Sequence, residues 1–438
     1  MSAESEHEKV PLVRHLDRLA ATGLAVKVTL AMLAGLAFGL LLGDITDWLP
    51  PRARSVLLRM FALPGEVFLA LLQMMVVPLV FASIGRGIAQ FEGFGVLRAV
   101  GLRFLLYTLA TTTVAITVGL TLAQAVAPGR WAALTTFPQP PPVPREATAT
   151  APPPSLLEAL IPQNPLRAMV EGQMLEVVSF AVIVGVAMVS VNRTSITPIL
   201  DLLRATLDVS MAVVRGAMRL APLAVFGLSL QAAASSGMGA LGGVGAYVLT
   251  VFFGLAILVG VYTVTAWVVA GRSPRAFLRA AWRVGVLAFS TSSSAAVMPL
   301  SIRTARQDLG VREGVARLVI PLGATMNMDG TALYQTVATV FLAQVAGVDL
   351  GPAALLALIL TILTASIGTP SAPGLGIVVL SSILRDAGIP AAAIGLVFGV
   401  DRLLDMARTA VNVTSDLACC AVVDQTLPEP ACPEAPPT

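Results

Sequence analysis

Long apolar runs separated by short polar or charged gaps make up most of the chain. A helix needs roughly 20 apolar residues to cross the hydrocarbon of a bilayer. The run at 220–271 holds no charge and is too long for one crossing, so we predict two helices with a turn near the Ser- and Gly-rich stretch 235–243. The clearest runs are 28–43, 67–85, 104–129, 177–192, 220–271, 284–302, 318–348 and 350–384.

Two of the later runs are interrupted by residues that do not continue a helix. Serines and a threonine occupy 290–294, and the sequence Gly-Thr-Pro-Ser-Ala-Pro-Gly-Leu-Gly occupies 368–376. Lipid cannot hydrogen-bond the backbone that such a break frees, so each break must be buried in protein or face a water-filled cavity. Paired interrupted segments are typical of transporter sites built from re-entrant hairpins, whereas a simple kink would explain either one alone.

The composition excludes a soluble protein. The 438 residues are 56% hydrophobic and 12% charged, whereas soluble domains carry about 25% charged residues. The net charge of +3 does not indicate nucleic-acid binding, because the basic residues lie mostly in short gaps between apolar runs. The pattern therefore favours a polytopic helical membrane protein.

Basic residues in the gaps predict the orientation. By the positive-inside rule, two Arg-rich gaps and the polar N-terminal tail face the cytoplasm. The Pro- and Thr-rich stretch 135–154 faces the outside. We expect a multi-pass protein of the cell inner (plasma) membrane with both termini cytoplasmic. The two gaps hold Arg86, Arg98 and Arg103, and Arg272, Arg275, Arg279 and Arg283.

Few residues of catalytic type occur in the apolar runs. The only lysines are Lys9 and Lys27, and both histidines lie in the N-terminal tail. No Ser–His or Ser–Lys pair can form inside the membrane, which argues against an intramembrane serine hydrolase built on serines 292–294. The cysteines show neither a CxxC motif nor zinc spacing. We therefore expect no enzyme.

The densest polar set lies at 401–416. At 3.6 residues per turn, these side chains form one stripe along a helix. The stripe holds three Asp and one inward Arg, and the excess carboxylate favours a cation because ionisable groups in membranes are costly. A self-neutralising set of ion pairs that only fastens helices together is the alternative. The stripe consists of Asp401, Asp405, Arg408, Thr409, Asn412 and Asp416.

A second polar set, Asn-Met-Asp-Gly-Thr at 327–331, interrupts a run in which Asp329 is the only charge. The break predicts an unwound helix whose carbonyls, with Asp329, coordinate a hard cation through oxygen. Asn and Asp capping two helix halves is the alternative. The threonines at 111–113 are candidate oxygen donors, unless they bond back to their own helix.

These residues resemble the sodium-coupled glutamate/aspartate transporter family, also called the dicarboxylate/amino acid:cation symporters, and in particular a prokaryotic member. The resemblance covers about 28–423 and implies an all-α polytopic membrane protein with eight transmembrane helices and two re-entrant helical hairpins in inverted repeats. It also implies a homotrimer and an elevator-type mechanism. The specific motifs are Thr-Ser-Ser-Ser at 291–294, Asn-Met-Asp-Gly-Thr at 327–331 and Asp-Met-Ala-Arg-Thr-Ala-Val-Asn at 405–412, with support from 74–83 and 161–165.

The resemblance also implies a division into a scaffold domain and a transport domain. The scaffold domain comprises helices 1–2 and the start of helix 3 at 23–103 and helices 4–5 at 161–235. The transport domain comprises helix 3 at 104–130, helix 6 at 236–272 and a transport core at 275–424. A cytoplasmic N-terminal tail at 1–22, a Pro-rich external loop at 131–160 and a cytoplasmic C-terminal tail at 425–438 complete the chain. Within the core, hairpin 1 spans about 275–308, helix 7 about 312–347, hairpin 2 about 351–386 and helix 8 about 390–424.

The family's substrate contacts fall on matching positions. By resemblance, Arg408 binds a side-chain carboxylate, Asp405 with Thr409 binds the amino group, and Asn412 with the Ser294 region holds the α-carboxylate. Arg offers a planar fork to a carboxylate, and Asp405 suits an ammonium group. The implied substrate set is Ser293, Ser294, Thr331, Ala372, Gly376, Asp405, Arg408, Thr409 and Asn412.

Three sodium sites follow from the same resemblance. A bound cation would offset the free-energy cost of burying a carboxylate in the membrane. The first site comprises Asp416 with carbonyls of Gly323, Asn327 and Asn412; the second comprises Asp329 with Thr108, Thr111, Thr112 and Asn327; the third comprises carbonyls of Thr325, Ser366, Ile367 and Thr369.

Some positions depart from the family pattern. Gln335 replaces a proton-carrying Glu of animal relatives, which argues against proton or potassium coupling by that route. Ser292 and Met406 occupy the two positions where relatives carry an Arg beside the substrate. Pro370 and Leu375 make the second hairpin tip stiffer and bulkier.

The expected function is secondary active import of L-aspartate or L-glutamate with co-transported sodium ions and no organic cofactor. Asp405 and Arg408 together favour an acidic amino acid, because dicarboxylate-specific relatives tend to lack the Asp and neutral amino acid relatives the Arg. A C4-dicarboxylate or neutral amino acid symporter on the same fold, including a proton-coupled one, and an anion channel are the alternatives. The expected partners are the substrate, the lipid bilayer and further copies of the chain, with no nucleic acid.

Overall fold

The computed structural model describes residues 24–45, 50–89, 97–131, 162–171, 173–236, 239–368, 375–389 and 391–428. The predicted N-terminal tail, most of the predicted external loop and the end of the C-terminal tail lie outside the described residues. Thr369, Pro370 and Ala372, predicted at the tip of the second hairpin, also lie outside them.

The described residues fold into α-helices joined by short connections, which include a π-helical turn at Leu97–Gly101 and 3-10 turns at Pro128–Trp131 and Ala391–Ile394. No strand occurs among these residues. The helices are α1 (Leu24–Ile45), α2 (Pro51–Ile88), α3 (Leu102–Val126), α4 (Pro165–Glu171), α5 (Met174–Ser190), α6 (Arg193–Ala217), α7 (Ala221–Ser236), α8 (Gly239–Val268), α9 (Pro274–Thr291), α10 (Ser294–Gln307), α11 (Glu313–Met326), α12 (Asp329–Ala346), α13 (Pro352–Gly368), α14 (Leu375–Asp386) and α15 (Gly395–Thr426).

The predicted helix breaks are confirmed. Between α9 and α10, Ser292 adopts a left-handed backbone with a φ of 50°, and Ser293 caps α10 by accepting the N–H of Ala296 at 3.3 Å. Asn327 and Met328 separate α11 from α12. The predicted second hairpin consists of two separate helices, α13 and α14, and the long uncharged run divides between α7 and α8.

Helices α12 and α15 form the centre of the molecule. Every residue of α12 from Asp329 to Ala343 is buried, and so is most of α15. Helix α15 contacts α8, α9, α11 and α12, while α12 also packs along α3. Because helices buried on all sides face protein rather than lipid, their polar residues lie inside the fold.

A second group of helices packs beside this centre. Helix α7 packs along α1 and α2, and α2 also contacts α5 and α6. The two groups meet at several places, among them where α7 and α1 touch α15, where α13 touches α5 and where α14 touches α2. The scaffold and transport domains expected by resemblance, and their relative movement, stay predictions.

Several helices are long and apolar enough to cross a membrane. Among the described residues, three meet this criterion by length and composition: Val56–Ile88, Ala99–Trp131 and Gly242–Val268. A fourth span is possible if Arg193–Ala217 and Ala221–Gln231, which are bent by 57° at their break, cross as one unit. Shorter apolar helices occur at Val26–Leu42, Glu176–Ser190 and Pro352–Ser366. The larger number of crossings expected by resemblance stays a prediction.

Candidate functional site

Arg408 lies buried on α15 and pairs with two carboxylates of its own helix. Its Nη2 and Nε donate to Asp405 Oδ1 at 2.7 and 3.2 Å, and its Nη1 donates to Asp401 Oδ1 at 3.3 Å. The guanidinium carbon lies 4.3 Å from the centre of the Tyr334 ring on α12, within the range of a cation–π interaction. The predicted carboxylate-binding Arg is therefore held between two acids and an aromatic face.

Arg402 corrects the charge count made from the sequence. Its Nη1 donates to Asp405 Oδ2 at 3.3 Å, and its side chain is only 15% exposed. The prediction of one inward Arg was wrong, because residues three apart on a helix are neighbours and the long Arg402 side chain reaches Asp405. Two Arg thus balance Asp401 and Asp405, as the ion-pair alternative described.

The first turn of α14 covers the Arg408 guanidinium. The backbone of Gly376 lies directly against it, so that a Cβ at this position would overlap the Arg408 side chain. Gln335 of α12 donates through Nε2 to the carbonyl of Gly376 at 3.5 Å. The second predicted hairpin is therefore in contact with the predicted substrate-binding Arg.

Asp329, at the start of α12, is completely buried and surrounded by hydroxyl groups. Its Oδ1 accepts from Thr112 Oγ1 of α3 at 2.7 Å. Its Oδ2 accepts from Tyr262 of α8 at 3.0 Å and from Ser415 Oγ of α15 at 2.8 Å. No Lys or Arg among the described residues forms an ion pair with Asp329. Three hydroxyl oxygens and one carboxylate make a donor set that suits a hard cation.

Asp416, further along α15, is also buried without an ion-pair partner in the described part of the chain. Its Oδ1 accepts from Asn327 Nδ2 at 2.9 Å. A Cβ on Gly323 would lie 2.3 Å from the same oxygen, so only glycine allows the carboxylate this close to the α11 backbone. The carboxylate excess predicted for the stripe therefore lies at Asp416, and Asp329 of the second polar set lies nearby, joined to it through Asn327 and Ser415.

Asn412 ties α15 to the start of α12. Its Oδ1 accepts the backbone N–H of Gly330 at 2.8 Å, and its Nδ2 donates to Thr331 Oγ1 at 3.2 Å. Thr409 uses its hydroxyl within its own helix, donating to the carbonyl of Asp405 at 2.6 Å. The structure thus brings Asn412 and Thr331 together, one turn from Arg408.

The remaining predicted residues occupy hairpin and helix ends. Ser293 acts as the cap of α10, while the buried hydroxyls of Ser292 and Ser294 have no hydrogen-bond partner among the described residues. Thr325 and Ser366 donate to carbonyls of their own helices, at Leu322 and Leu363, both at 2.9 Å. Ile367 belongs to the last turn of α13.

The predicted threonines of α3 behave differently from one another. The hydroxyl of Thr112 donates to Asp329. Thr111 instead donates to the carbonyl of Tyr107 at 3.0 Å, so it bonds back to its own helix, which was the alternative interpretation. The hydroxyl of Thr108 is buried and has no hydrogen-bond partner within the described ranges. Its oxygen is available as a ligand.

Sequence reasoning missed Tyr262, Ser415 and Tyr334. Ser415 could have been suspected, because it immediately precedes Asp416 on a helix already singled out. Tyr262 lies in an uncharged apolar run, where an aromatic residue is ordinary, and only the packing of α8 against α12 brings it to Asp329. Tyr334 is equally ordinary in sequence.

Comparison with known proteins gives consistent matches along the chain. The chain is 31% identical over 409 residues to the proton/glutamate-aspartate symporter of Escherichia coli, covering 91% of this chain and 92% of that protein. It is 32% identical over 409 residues to the proton/sodium-glutamate symport protein of Bacillus subtilis, covering 92% of each. It is 29% identical over 415 residues to the C4-dicarboxylate transport protein of Rhodospirillum rubrum, covering 91% of this chain and 87% of that protein.

The match extends to a whole family. The model of the sodium:dicarboxylate symporter family covers residues 24–426, which include every described residue of the candidate site. The resemblance found from the motifs is thereby confirmed. The chain belongs to the sodium:dicarboxylate symporter family, a family of membrane transporters.

Proposed function

We propose that this protein is a secondary active symporter of the plasma membrane that imports L-aspartate or L-glutamate together with sodium ions. The buried pair of Arg408 and Asp405 carries the proposal, because it offers one positive and one negative group at 2.7 Å from each other. An acidic amino acid presents a carboxylate and an ammonium group that match this pair. Relatives named as glutamate or aspartate symporters support the substrate class.

Substrate binding then becomes an exchange of partners. The substrate's side-chain carboxylate takes the guanidinium of Arg408 as a planar fork, and its ammonium group takes the place of Arg408 at Asp405. Each charge that the exchange uncovers receives a new partner, so no buried charge is left without one. The hydroxyl of Thr331 and the amide of Asn412 lie one turn away for the α-carboxylate.

Cation binding falls to Asp329 and Asp416, the two buried acids of the site that have no ion-pair partner among the described residues. Asp329, with Thr112 and Asn327, forms one sodium site, and Asp416, with carbonyls near Gly323 and Asn412, forms another. Burial of two unpaired carboxylates is expensive, and each sodium ion removes that cost. Because the names of the relatives mention protons alone or protons with sodium, the choice of sodium rests on the hydroxyl oxygens around Asp329 and on Gln335, which cannot carry a proton.

The proposed movement is an elevator. The described site residues lie on α3, on α8, on α10 to α15 and in the breaks before α10 and α12, while α1, α2 and α4 to α7 carry none of them. A small crevice of about 30 Å³ lies between the two groups, and its lining on the scaffold side is apolar. It is lined by Val28, Phe68, Met218, Ala221 and Val225 on one side and by Ile377, Phe398, Asp401, Arg402 and Asp405 on the other. We propose a homotrimer on the family resemblance.

The nearest rival is C4-dicarboxylate transport, which the similarity to the Rhodospirillum rubrum protein favours. A dicarboxylate has no ammonium group, so Asp405 would keep only Arg402 as a partner once Arg408 bound the substrate. Uptake of radiolabelled aspartate into liposomes, with unlabelled glutamate, succinate and alanine as competitors, separates these functions. Competition by glutamate but not by succinate or alanine supports the proposal, and competition by succinate alone contradicts it.

A further inference from the structure

Ser415 lies between Asp329 and Asp416, the two buried acids of the candidate site for which the described residues provide no ion-pair partner. It is fully buried, its Oγ donates to Asp329 Oδ2 at 2.8 Å, and it accepts from Asn327 Nδ2 at 3.0 Å. The same Nδ2 donates to Asp416 Oδ1 at 2.9 Å. One hydroxyl and one amide therefore join Asp329 to Asp416.

These contacts fix the orientation of the Asn327 amide. If the amide were flipped, its carbonyl oxygen would face the Asp416 carboxylate, and Ser415, which already donates to Asp329, could not donate to it as well. In the observed orientation Oδ1 is buried and has no hydrogen-bond partner among the described residues. A buried acceptor without a donor is costly, and a bound cation would satisfy it.

We propose that Ser415 is a positioning residue that couples cation binding at Asp329 to cation binding at Asp416. The inference rests on the proposed function, in which a sodium ion neutralises each carboxylate. A cation bound by Asp329 and Asn327 Oδ1 fixes both groups, and Ser415 with Nδ2 passes that ordering to Asp416. Binding at one site thus preorganises the other, which is a coupling free energy between the sites.

Tyr262 provides the comparison that isolates this coupling. Its hydroxyl donates to the same Asp329 oxygen at 3.0 Å, but from α8. Tyr262→Phe removes a donor to Asp329 and leaves the chain of contacts from Ser415 through Asn327 to Asp416 in place. Thr414 provides the control, because its hydroxyl is buried on the same helix and donates to the carbonyl of Ala410 at 2.9 Å.

The test is a sodium-binding titration of the purified full chain in detergent at constant ionic strength, with radioactive sodium as the probe. We expect Ser415→Ala and Ser415→Gly to raise the half-saturating sodium concentration by roughly threefold to tenfold, the net effect of one lost hydrogen bond of ordinary strength. Both variants should also make the sodium-binding curve less steep, because the two cation sites would no longer be coupled. Tyr262→Phe should raise the half-saturating sodium concentration but leave the steepness of the binding curve unchanged. Thr414→Ala should match the parent protein in both properties.

The outcomes separate the inference from the function on which it rests. Gel filtration identifies the variants that remain folded, and either of the two Ser415 variants that passes carries the test. A folded Ser415 variant whose sodium-binding curve is as steep as that of the parent protein overturns the coupling role of Ser415 while leaving sodium symport intact. A parent protein that binds no sodium overturns both.

Discussion

Gly376 and Arg408 are in direct contact across the consecutive helices α14 and α15. A Cβ at position 376 would lie 2.4 Å from Arg408 Nη2 and 2.5 Å from its guanidinium carbon. The guanidinium cannot easily withdraw, because Asp401 and Asp405 hold it and the Tyr334 ring lies 4.3 Å away. The absence of a side chain at Gly376 therefore determines where the proposed carboxylate-binding group sits.

Gly376→Ala should displace the Arg408 guanidinium and weaken acidic substrate binding by about tenfold or more, which corresponds to roughly 1.4 kcal/mol. The affinity for aspartate, measured by a binding titration of the purified protein, tests this. Gly260→Ala on α8 is the matched control, since a Cβ there meets nothing within 4 Å. Unchanged affinity in Gly376→Ala would show that the contact has no role in binding.

Arg408→Cys should abolish uptake of acidic substrates, because the substrate carboxylate loses its only proposed cationic partner on α15 in a buried site. Neutral amino acids should then compete better than aspartate for the remaining site. Uptake into liposomes with acidic and neutral competitors measures both effects. Arg303→Cys, at an exposed position of α10, controls for the introduced thiol, and parent-like aspartate uptake in Arg408→Cys would remove Arg408 from its role.

Asp329→Ala should raise the sodium concentration needed for substrate binding, since the proposed site loses its only carboxylate and keeps hydroxyl groups alone. We expect a shift of at least about tenfold, from the loss of charge-assisted contacts. Substrate-binding titrations at several sodium concentrations measure it. Asp201→Ala, on the exposed face of α6, should leave the sodium dependence as it is in the parent, and a parent-like result for Asp329→Ala would contradict the assignment.

Two ion pairs of the chain should differ in their contribution to stability. Arg312 donates through Nε to the largely buried Asp424 at 2.7 Å and through Nη2 to the carbonyl of Leu427 at 3.1 Å, which joins α11 to the end of α15. Asp424→Ala should lower the free energy of unfolding by about 1.5–3 kcal/mol, as expected for hydrogen bonds to charged groups. Asp308→Ala breaks a more exposed pair with Arg283 and should cost less than about 1 kcal/mol. The melting temperatures of the two variants in detergent measure these effects. Equal decreases for Asp424→Ala and Asp308→Ala would contradict the expected difference in stability.

Local chemistry made part of this structure predictable from the sequence. The serines near 292 and the Asn-Met-Asp-Gly segment at 327 cannot continue an apolar helix, and both breaks occur at those residues. The helical period also placed Asp405 and Arg408 on one face, where they pair. Contacts within one helix or one break follow from spacing alone.

Contacts between distant helices were not predictable in the same way. Tyr262 reaches Asp329 only because α8 packs against α12, and no pattern in its own apolar run indicates this. Arg402 was assigned outward by the helical projection, which follows the Cβ direction and neglects how far a long side chain can bend. These contacts depend on how the helices pack and on how far a side chain extends, and the periodicity of the sequence indicates neither.

The central claim is that a sodium gradient drives import of an acidic amino acid. Liposomes containing the purified protein are loaded with potassium buffer and diluted into radiolabelled aspartate with either sodium outside or a proton gradient alone. The account predicts accumulation of aspartate with the inward sodium gradient and none with the proton gradient. Accumulation with the proton gradient alone, and none with sodium, would contradict it.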